Sequence, residues 1–429
     1  MDIKELSPPS ITPRCIASTG DVFNAKISPN NDRVSNGSRY SGSQPKCFRS
    51  VQWSTDGTTL VTHNEDQNIR SFVLPPDLLD PSHQPHALGP YTTLTAPSAI
   101  HSVTLYPRWT LGDPSTTLIL SSPVDLPVRL TNALSGSSVA SYPIIDSKTE
   151  AYITPASVAF TVSGSHFIAG SKNRLSVFDT SRNGGEPIEY QMTAPSRTSK
   201  KLYGTEWGLS GIISALSIAS DGLLAAGSWN RGVGLFANEG RGECIAAFSV
   251  QGQQDGAGVS QVLWSPCGRY LYVVERRSAG IHLYDVRVLG QKLGWLNGRK
   301  AEVQQRLGVE VLTRQDGGGQ ELWAGGTDGA VRCWRDPHLV EGERVPDVGF
   351  EAHDDRVTDV AFHCSGSILA TCSGQRVPTA DLLDLDVRSL SSNAPGFDTG
   401  PEAPARSLSP LPKSPDKTQP DNSLKIWTA

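Results

Sequence analysis

Apolar and polar residues alternate with a period of two along most of this chain, in short runs separated by turn residues, which is the pattern of half-buried strands. The clearest copy is Phe48 to Leu74. Val51 and Trp53 alternate with polar neighbours, Asp56-Gly57 supplies a hairpin turn, Leu60 and Val61 start a second strand, Asp66 to Asn68 form the next turn, and Ile69 to Phe72 form a third strand. The layout returns from Val158, Gly211, Val259, Leu322 and Val357, the Leu322 copy having its first strand near Val309 to Leu312. A weaker copy spans Ile100 to Ser141, with strands at Ser102 to Tyr106, Thr117 to Ser121 and Val128 to Asn132. That makes seven copies, at a spacing of roughly 45–60 residues. A small antiparallel sheet cannot bury both faces alone. Radial packing buries them and leaves only short, protected edges. The expected fold is all-β, a seven-bladed β-propeller; a sandwich would not need an aromatic residue at the end of each third strand.

The turn and strand-end residues match the WD40 kind of blade, in which a loop His, a turn Asp, a strand Ser or Thr and a terminal Trp form a side-chain network. Asp66 and Asp328 fit the turn, His353 the loop, and Trp334 and Trp427 the strand end. Elsewhere Asn173 or Asn230 stands for Asp, and Phe178, Phe236 or Tyr284 for Trp. The seventh copy breaks off at Val377, and a strand resumes only at Ser423. Residues 378–422, rich in Pro, Ser and Asp, read as a disordered insertion in the last blade. Ser409-Pro410 and Ser414-Pro415 make Ser409 and Ser414 candidate phosphorylation sites. The propeller is therefore assigned to 47–377 and 423–429. Residues 1–46 form a tail whose segment at about 12–19 closes the ring as the missing outer strand of the last blade.

Composition agrees with a β-rich chain: 41 glycines and 30 prolines punctuate turns, and the hydrophobic fraction of 37% leaves room for long polar loops. The formal net charge of -5 argues against a sequence-blind nucleic-acid binder, though not against a local basic patch. The seven cysteines show no C-x-x-C pair, so neither a disulfide framework nor a zinc site is signalled, and a reducing compartment is the natural reading. The start MDIKELSPPS is not a secretory signal, and no apolar run approaches a membrane span. There is no P-loop, G-x-S-x-G or H-E-x-x-H motif. His353, His363, Cys364 and Cys372 fit no zinc spacing. The expectation is a non-enzymatic, monomeric binding platform without cofactor, metal or small-molecule substrate.

Several segments are similar to the telomerase Cajal-body WD-repeat family across nearly the whole propeller. They are Phe48 to Leu79 with its Leu74-Pro75-Pro76 exit, Ser210 to Ser214 (SGIIS), Gly227 to Phe236, Asp285 to Arg287, Gln305-Arg306, Gly325 to Trp334, and Ala370 to Arg376 (ATCSGQR) opening onto the insertion. SGIIS and SGQR together carry the specificity. The resemblance implies a nuclear scaffold that binds small non-coding RNA, either small Cajal-body RNA or telomerase RNA, together with ribonucleoprotein, telomerase or splicing proteins. It also implies residence in the nucleus, including the Cajal body, with some protein in the cytoplasm. The short N-terminal extension, without the long acidic, Pro-rich leader of animal members, suggests a fungal-type member.

Recognition of RNA loops calls for cations to meet phosphates and flat groups to stack on bases. The candidates are Trp229, Arg231, Arg276, Arg277, Arg287, Arg306 and Arg376, with Lys172, Arg174, Lys200 and Lys201 as second choices. Each has an alternative as a solvated turn charge or a structural arginine. The competing function is a protein-only adaptor in pre-mRNA splicing or another nuclear complex, using the same propeller faces.

Overall fold

Each repeat closes into an antiparallel sheet because its apolar alternation is interrupted by residues suited to tight turns. Gly57, Gly164, Gly268 and Gly366 occupy equivalent turns between first and second strands, all with φ between +69° and +73°, a region that glycine enters without a Cβ penalty. The computed structural model describes residues 12–24, 47–194, 208–250, 256–288, 290–314, 319–376 and 421–428. They form seven sheets.

Counted from the inside outwards, blade 1 comprises Phe48–Trp53, Thr59–Asn64, Asn68–Val73 and Thr92–Thr95. Blade 2 comprises Ile100–Leu105, Leu118–Pro123, Val128–Asn132 and Ser138–Tyr142. Blade 3 is Ser157–Phe160, His166–Ser171, Arg174–Asp179 and Glu189–Met192, and blade 4 is Ile213–Ile218, Leu224–Ser228, Gly232–Phe236 and Cys244–Ser249. Blade 5 is Val259–Trp264, Tyr270–Glu275, Ile281–Asp285 and Lys292–Leu296, and blade 6 is Val309–Thr313, Gln320–Gly325, Ala330–Arg335 and Val348–Glu351. Blade 7 draws three strands from one end of the chain and one from the other: Val357–Phe362, Ile368–Ser373, Leu424–Thr428 and then Arg14–Ser18, which pairs antiparallel with Leu424–Thr428. The molecule is a seven-bladed β-propeller. Short parallel strands, His86–Ala87 and Gly342–Arg344, extend blades 7 and 5 at their rims.

Between blades, the sheets pack through apolar faces. The third-strand aromatics Phe72, Phe178, Phe236, Tyr284, Trp334 and Trp427 are all buried. Phe167 and Phe178 stack at 4.8 Å, and Tyr142 meets both edge-on. Truncating such a ring costs about 3–5 kcal/mol, since the cavity adds to the lost transfer energy.

Among the described residues, only blade 7 assembles the full polar network. His353 is fully covered; one ring nitrogen lies 2.7 Å from the Thr371 hydroxyl, which also accepts from the Trp427 indole N–H at 2.8 Å. The other ring nitrogen lies 3.1 Å from the Ser423 hydroxyl and 3.3 Å from Asp421. Asp421 is therefore the turn aspartate of this blade. It and Asn422, whose backbone N–H donates to Asn24, belong to the blade, so the insertion does not reach 422 as its composition suggested. Asp66 and Asp328 do sit in their turns, but each pairs with the arginine four residues on, Arg70 at 2.6 Å and Arg332 at 2.5 Å, instead of joining a His–Trp chain. The Trp334 indole nitrogen is buried without a partner. Ser409, Ser414, Lys200 and Lys201 lie outside the described residues.

The channel mouth as candidate binding site

Antiparallel order dictates which residues share an end of the ring. Every inner strand starts, and every second strand finishes, at one end, here the upper end; turns between third and fourth strands fall at the lower end. A cavity of about 600 Å³ occupies the central channel and opens among the upper turns. That is the size range of ligand pockets.

Of the nine candidate contact residues that are described, Lys172, Trp229, Arg276, Arg306 and Arg376 line this cavity together. They come from blades 3, 4, 5, 6 and 7. The remaining four are placed elsewhere. Arg231 is held by a two-pronged pair to Glu275 at 2.7 and 2.9 Å, and Glu275 is fully buried and also bonds His282. Arg174 lies over the Tyr190 ring at 4.3 Å, on the outer strands. Arg277 is exposed in the blade 5 turn, outside the cavity lining. Arg287 lies at the lower end, pairing with Asp285 at 2.6 Å in a turn between third and fourth strands.

Two motifs distant in sequence meet at the mouth. The Gln305 side-chain amide donates to the Gly374 carbonyl at 3.0 Å, and its oxygen accepts the Arg376 backbone N–H at 3.2 Å. Gln305-Arg306 and Ser373 to Arg376 thus form one corner. Arg376 reaches on to blade 1, giving its Nε–H to Glu65 at 2.9 Å, and Glu65 also faces Arg49 at 3.4 Å. Gly374 has φ +143°, and a Cβ there would lie 2.4 Å from the Cβ of Cys47 and 2.5 Å from Asn422 Oδ1, so this corner closes only around glycine. The Arg276 guanidinium packs 5.3 Å above the Trp229 ring.

Arg49 was not among the residues read from sequence. It sits second in the inner strand of blade 1, bonding the Ile100 carbonyl at 3.1 Å while lining the cavity. Burial pulls its pKa down, and Glu65 works against that shift. His63, Glu310 and Asp359 also line the wall. Burial, reinforced by Arg49 and Arg306, keeps His63 well below the usual range and hence neutral. Burial and the Asp359 charge push Glu310 up to about 8. Burial pushes Asp359 up to about 6, opposed by Arg306 and by backbone N–H groups of Val51 and Val360. Among the described lining residues the cations are Arg49, Lys172, Arg276, Arg306 and Arg376, and the carboxyls are Glu65, Glu310 and Asp359. Five against three, with Glu310 largely protonated at neutral pH, makes the mouth cationic on a chain of net charge -5. A concave, like-signed site of this kind focuses its field on an incoming anion.

Comparison with known proteins agrees with this architecture. Residues 345–377 match the WD domain, G-beta repeat model. The chain is 32% identical over 303 residues to guanine nucleotide-binding protein negative regulator 1 of Schizosaccharomyces pombe, covering 70% of this chain and 73% of that protein. It is 29% identical over 342 residues to telomerase Cajal body protein 1 of Bos taurus, covering 78% of this chain and 59% of the bovine protein. For the human protein of that name the figures are 28% over 342 residues, 78% and 58%. The chain thus spans under two thirds of the length of these mammalian relatives. With the propeller, the joined Gln305-Arg306 and SGQR corner, and these identities, the chain belongs to the telomerase Cajal-body WD-repeat family.

Proposed function

We propose that this protein is a non-enzymatic nuclear scaffold that binds small non-coding RNA, of the small Cajal-body or telomerase RNA class, at the upper mouth of its channel, and holds the protein partners of that RNA on its other surfaces. The observation that carries the reading is the convergence of Arg49, Lys172, Arg276, Arg306 and Arg376 with Trp229 on one concavity. Phosphates meet cations and unpaired bases meet a flat indole in such a site. The names of the mammalian relatives support the RNP setting and the nuclear location.

Crosslinking in cells followed by sequencing of the bound RNA tests this. Box-type small nuclear RNAs or telomerase RNA should be recovered, and Arg276→Glu with Arg306→Glu should reduce recovery without unfolding the propeller. Background RNA alone would instead favour a protein-only adaptor in splicing or another nuclear complex.

A further inference from the structure

In blades 1, 4, 5 and 7 the inner strand carries one extra residue opposite the second strand, a bulge, at Arg49, Ser214, Ser260 and Thr358. A bulge turns a side chain out of the regular alternation. In three of these blades that side chain is a small hydroxyl used within the wall. Ser214 donates to the carbonyl of Val259, first in the inner strand of blade 5, at 2.5 Å. Ser260 donates to the Val274 carbonyl at 3.2 Å and Thr358 to the Cys372 carbonyl at 3.1 Å. Arg49 repeats the bond of Ser214, donating to the carbonyl of Ile100, first in the inner strand of blade 2, at 3.1 Å. A serine suffices for that bond. The guanidinium reaches beyond it: Nε faces Glu65 at 3.4 Å, and Nη2 has no partner among the described residues.

The adjacent position on the second strand departs from the pattern as well. Gly170, Gly227, Val274, Gly325 and Cys372 are equivalent in blades 3 to 7, each opposite an apolar residue of the third strand. Blade 1 has His63 there, opposite Ile69. His63 is 4% exposed and lines the cavity, and its ring makes no hydrogen bond among the described residues. A buried polar group without a partner costs free energy, and its presence calls for an explanation. Arg306, on the crossing from blade 5 to blade 6, lines the same cavity, and its side chain has neither a hydrogen bond nor an ion pair among the described residues. It lies near enough to Arg49 and His63 to depress the pKa of both.

Donors exceed acceptors on this stretch of wall. Glu65 is shared between Arg49 and Arg376, and Asp359 accepts the N–H groups of Val51 and Val360. Glu310 is largely neutral at pH 7. Two guanidiniums and an imidazole are left to donate, and a neutral imidazole carries one N–H. A guanidinium fork matches a carboxylate or a phosphate. Here the donors stand on three segments: the first strand, the second strand and the crossing. Three directions suit three oxygens. A phosphate monoester presents three, whereas a carboxylate, or the diester inside a nucleic-acid chain, presents two.

We propose that the channel wall at blade 1 holds a phosphate monoester, gripped by Arg49 and Arg306 and accepting a hydrogen bond from His63. The monoester is the terminal phosphate of an RNA or the phosphate of a free nucleotide; only the first source rests on the RNA reading above.

The test uses the full chain and five probes: a short oligouridine with hydroxyl ends, the same RNA with a 5′-phosphate, the same with a 3′-phosphate, UMP and uridine. In fluorescence anisotropy the RNA phosphorylated at one of its ends should bind about tenfold or more tighter than the hydroxyl-ended RNA, as a charge-assisted contact provides. His63→Phe removes no charge, so a gain that came from general attraction would survive it. That variant should abolish most of the gain, and so should Arg306→Gln, an exposed side chain that can be changed even if His63→Phe fails to fold. Arg287→Glu, at the lower end, should keep the gain. A preference for a phosphorylated end assigns the site to RNA. Binding of UMP, but of neither uridine nor any RNA, assigns it to a free nucleotide and removes the RNA reading. Equal binding of the three RNAs, or a preference that survives both variants, overturns the proposal and leaves the RNA reading standing. Failure of every probe removes both.

Discussion

Asp421→Ala should destabilise the propeller by about 2–3 kcal/mol, although the residue lies beyond a long insertion and reads as loop. Its carboxylate accepts from the Ser423 hydroxyl at 2.5 Å and from the Asp354 backbone N–H at 3.0 Å, and lies 3.3 Å from His353. Hydrogen bonds to a charged group contribute about 1.5–3 kcal/mol each, but three that share one carboxylate do not add, and burial of the charge offsets part of the gain. The alanine variant also strands His353, which bonds onward to Thr371 and Trp427, in the interior. Urea denaturation followed by tryptophan fluorescence measures the change as a lower midpoint. A midpoint shift equivalent to under 0.5 kcal/mol would refute the claim that Asp421 anchors the blade, and with it the argument that the network is energetically significant.

Other outcomes follow from the same geometry. Burial raises the Asp421 pKa, but the hydrogen bond and charge of His353, together with hydrogen bonds from Ser423 and the Asp354 N–H, outweigh it and hold the carboxylate well below its ordinary value. Its stabilisation is therefore full above the unfolded value of about 3.9 and is lost as pH falls through the folded value. The wild-type advantage over Asp421→Asn should accordingly be constant from pH 7 to 5 and shrink below about pH 4 in a melting series. Deleting residues 1–25 removes the strand Arg14–Ser18 and should lower the melting temperature of the whole domain; an unchanged value would show that the ring does not need that strand. Salt dependence of RNA affinity should give a log–log slope no steeper than about -3.5, from five cavity cations at about 0.7 each for single strands. Arg287→Glu, at the lower end, should leave that affinity unchanged; a drop comparable to that of Arg306→Glu would move the site to the other face.

The blades were legible because period-two alternation, a turn glycine and a terminal aromatic recur together, and each has a physical cause in the sheet. Blade 2 was legible in outline: its first two strands are displaced by one or two residues, and its third, Val128–Asn132, lies where it was read. Asp421 was not, because the local grammar that marks a turn aspartate relies on strands a few residues away, and 44 residues separate Arg376 from it. Arg49 escaped for a different reason. Within an alternating strand it reads as an ordinary solvent-facing position, whereas in a closed ring that face is the channel wall. Glu310 has the same disguise. The lower-end position of Arg287 is legible in principle, since turn parity alone assigns it. Of the cavity cations, four were read from sequence because they sit in turns or crossings at the upper end, although upper-turn position alone does not suffice, since Arg231 and Arg277 share it and do not line the cavity.

The pairing of Arg14–Ser18 with Leu424–Thr428 has a consequence for biosynthesis. A chain grows from its N-terminus and domains fold as they emerge. Here the strand Arg14–Ser18 must wait until residue 428 has been made before its partner is complete. At about 5–20 residues per second, the sheet edge it will cover stays open for roughly 20–80 seconds. During that time Cys15 to Ser18 is an unpaired apolar strand next to an incomplete ring, the condition in which exposed edges recruit other chains. The yield of the protein should accordingly depend on what shields the strand Arg14–Ser18 during translation, and slowing synthesis or co-expressing a chaperone for that interval should matter more than any change in the finished fold.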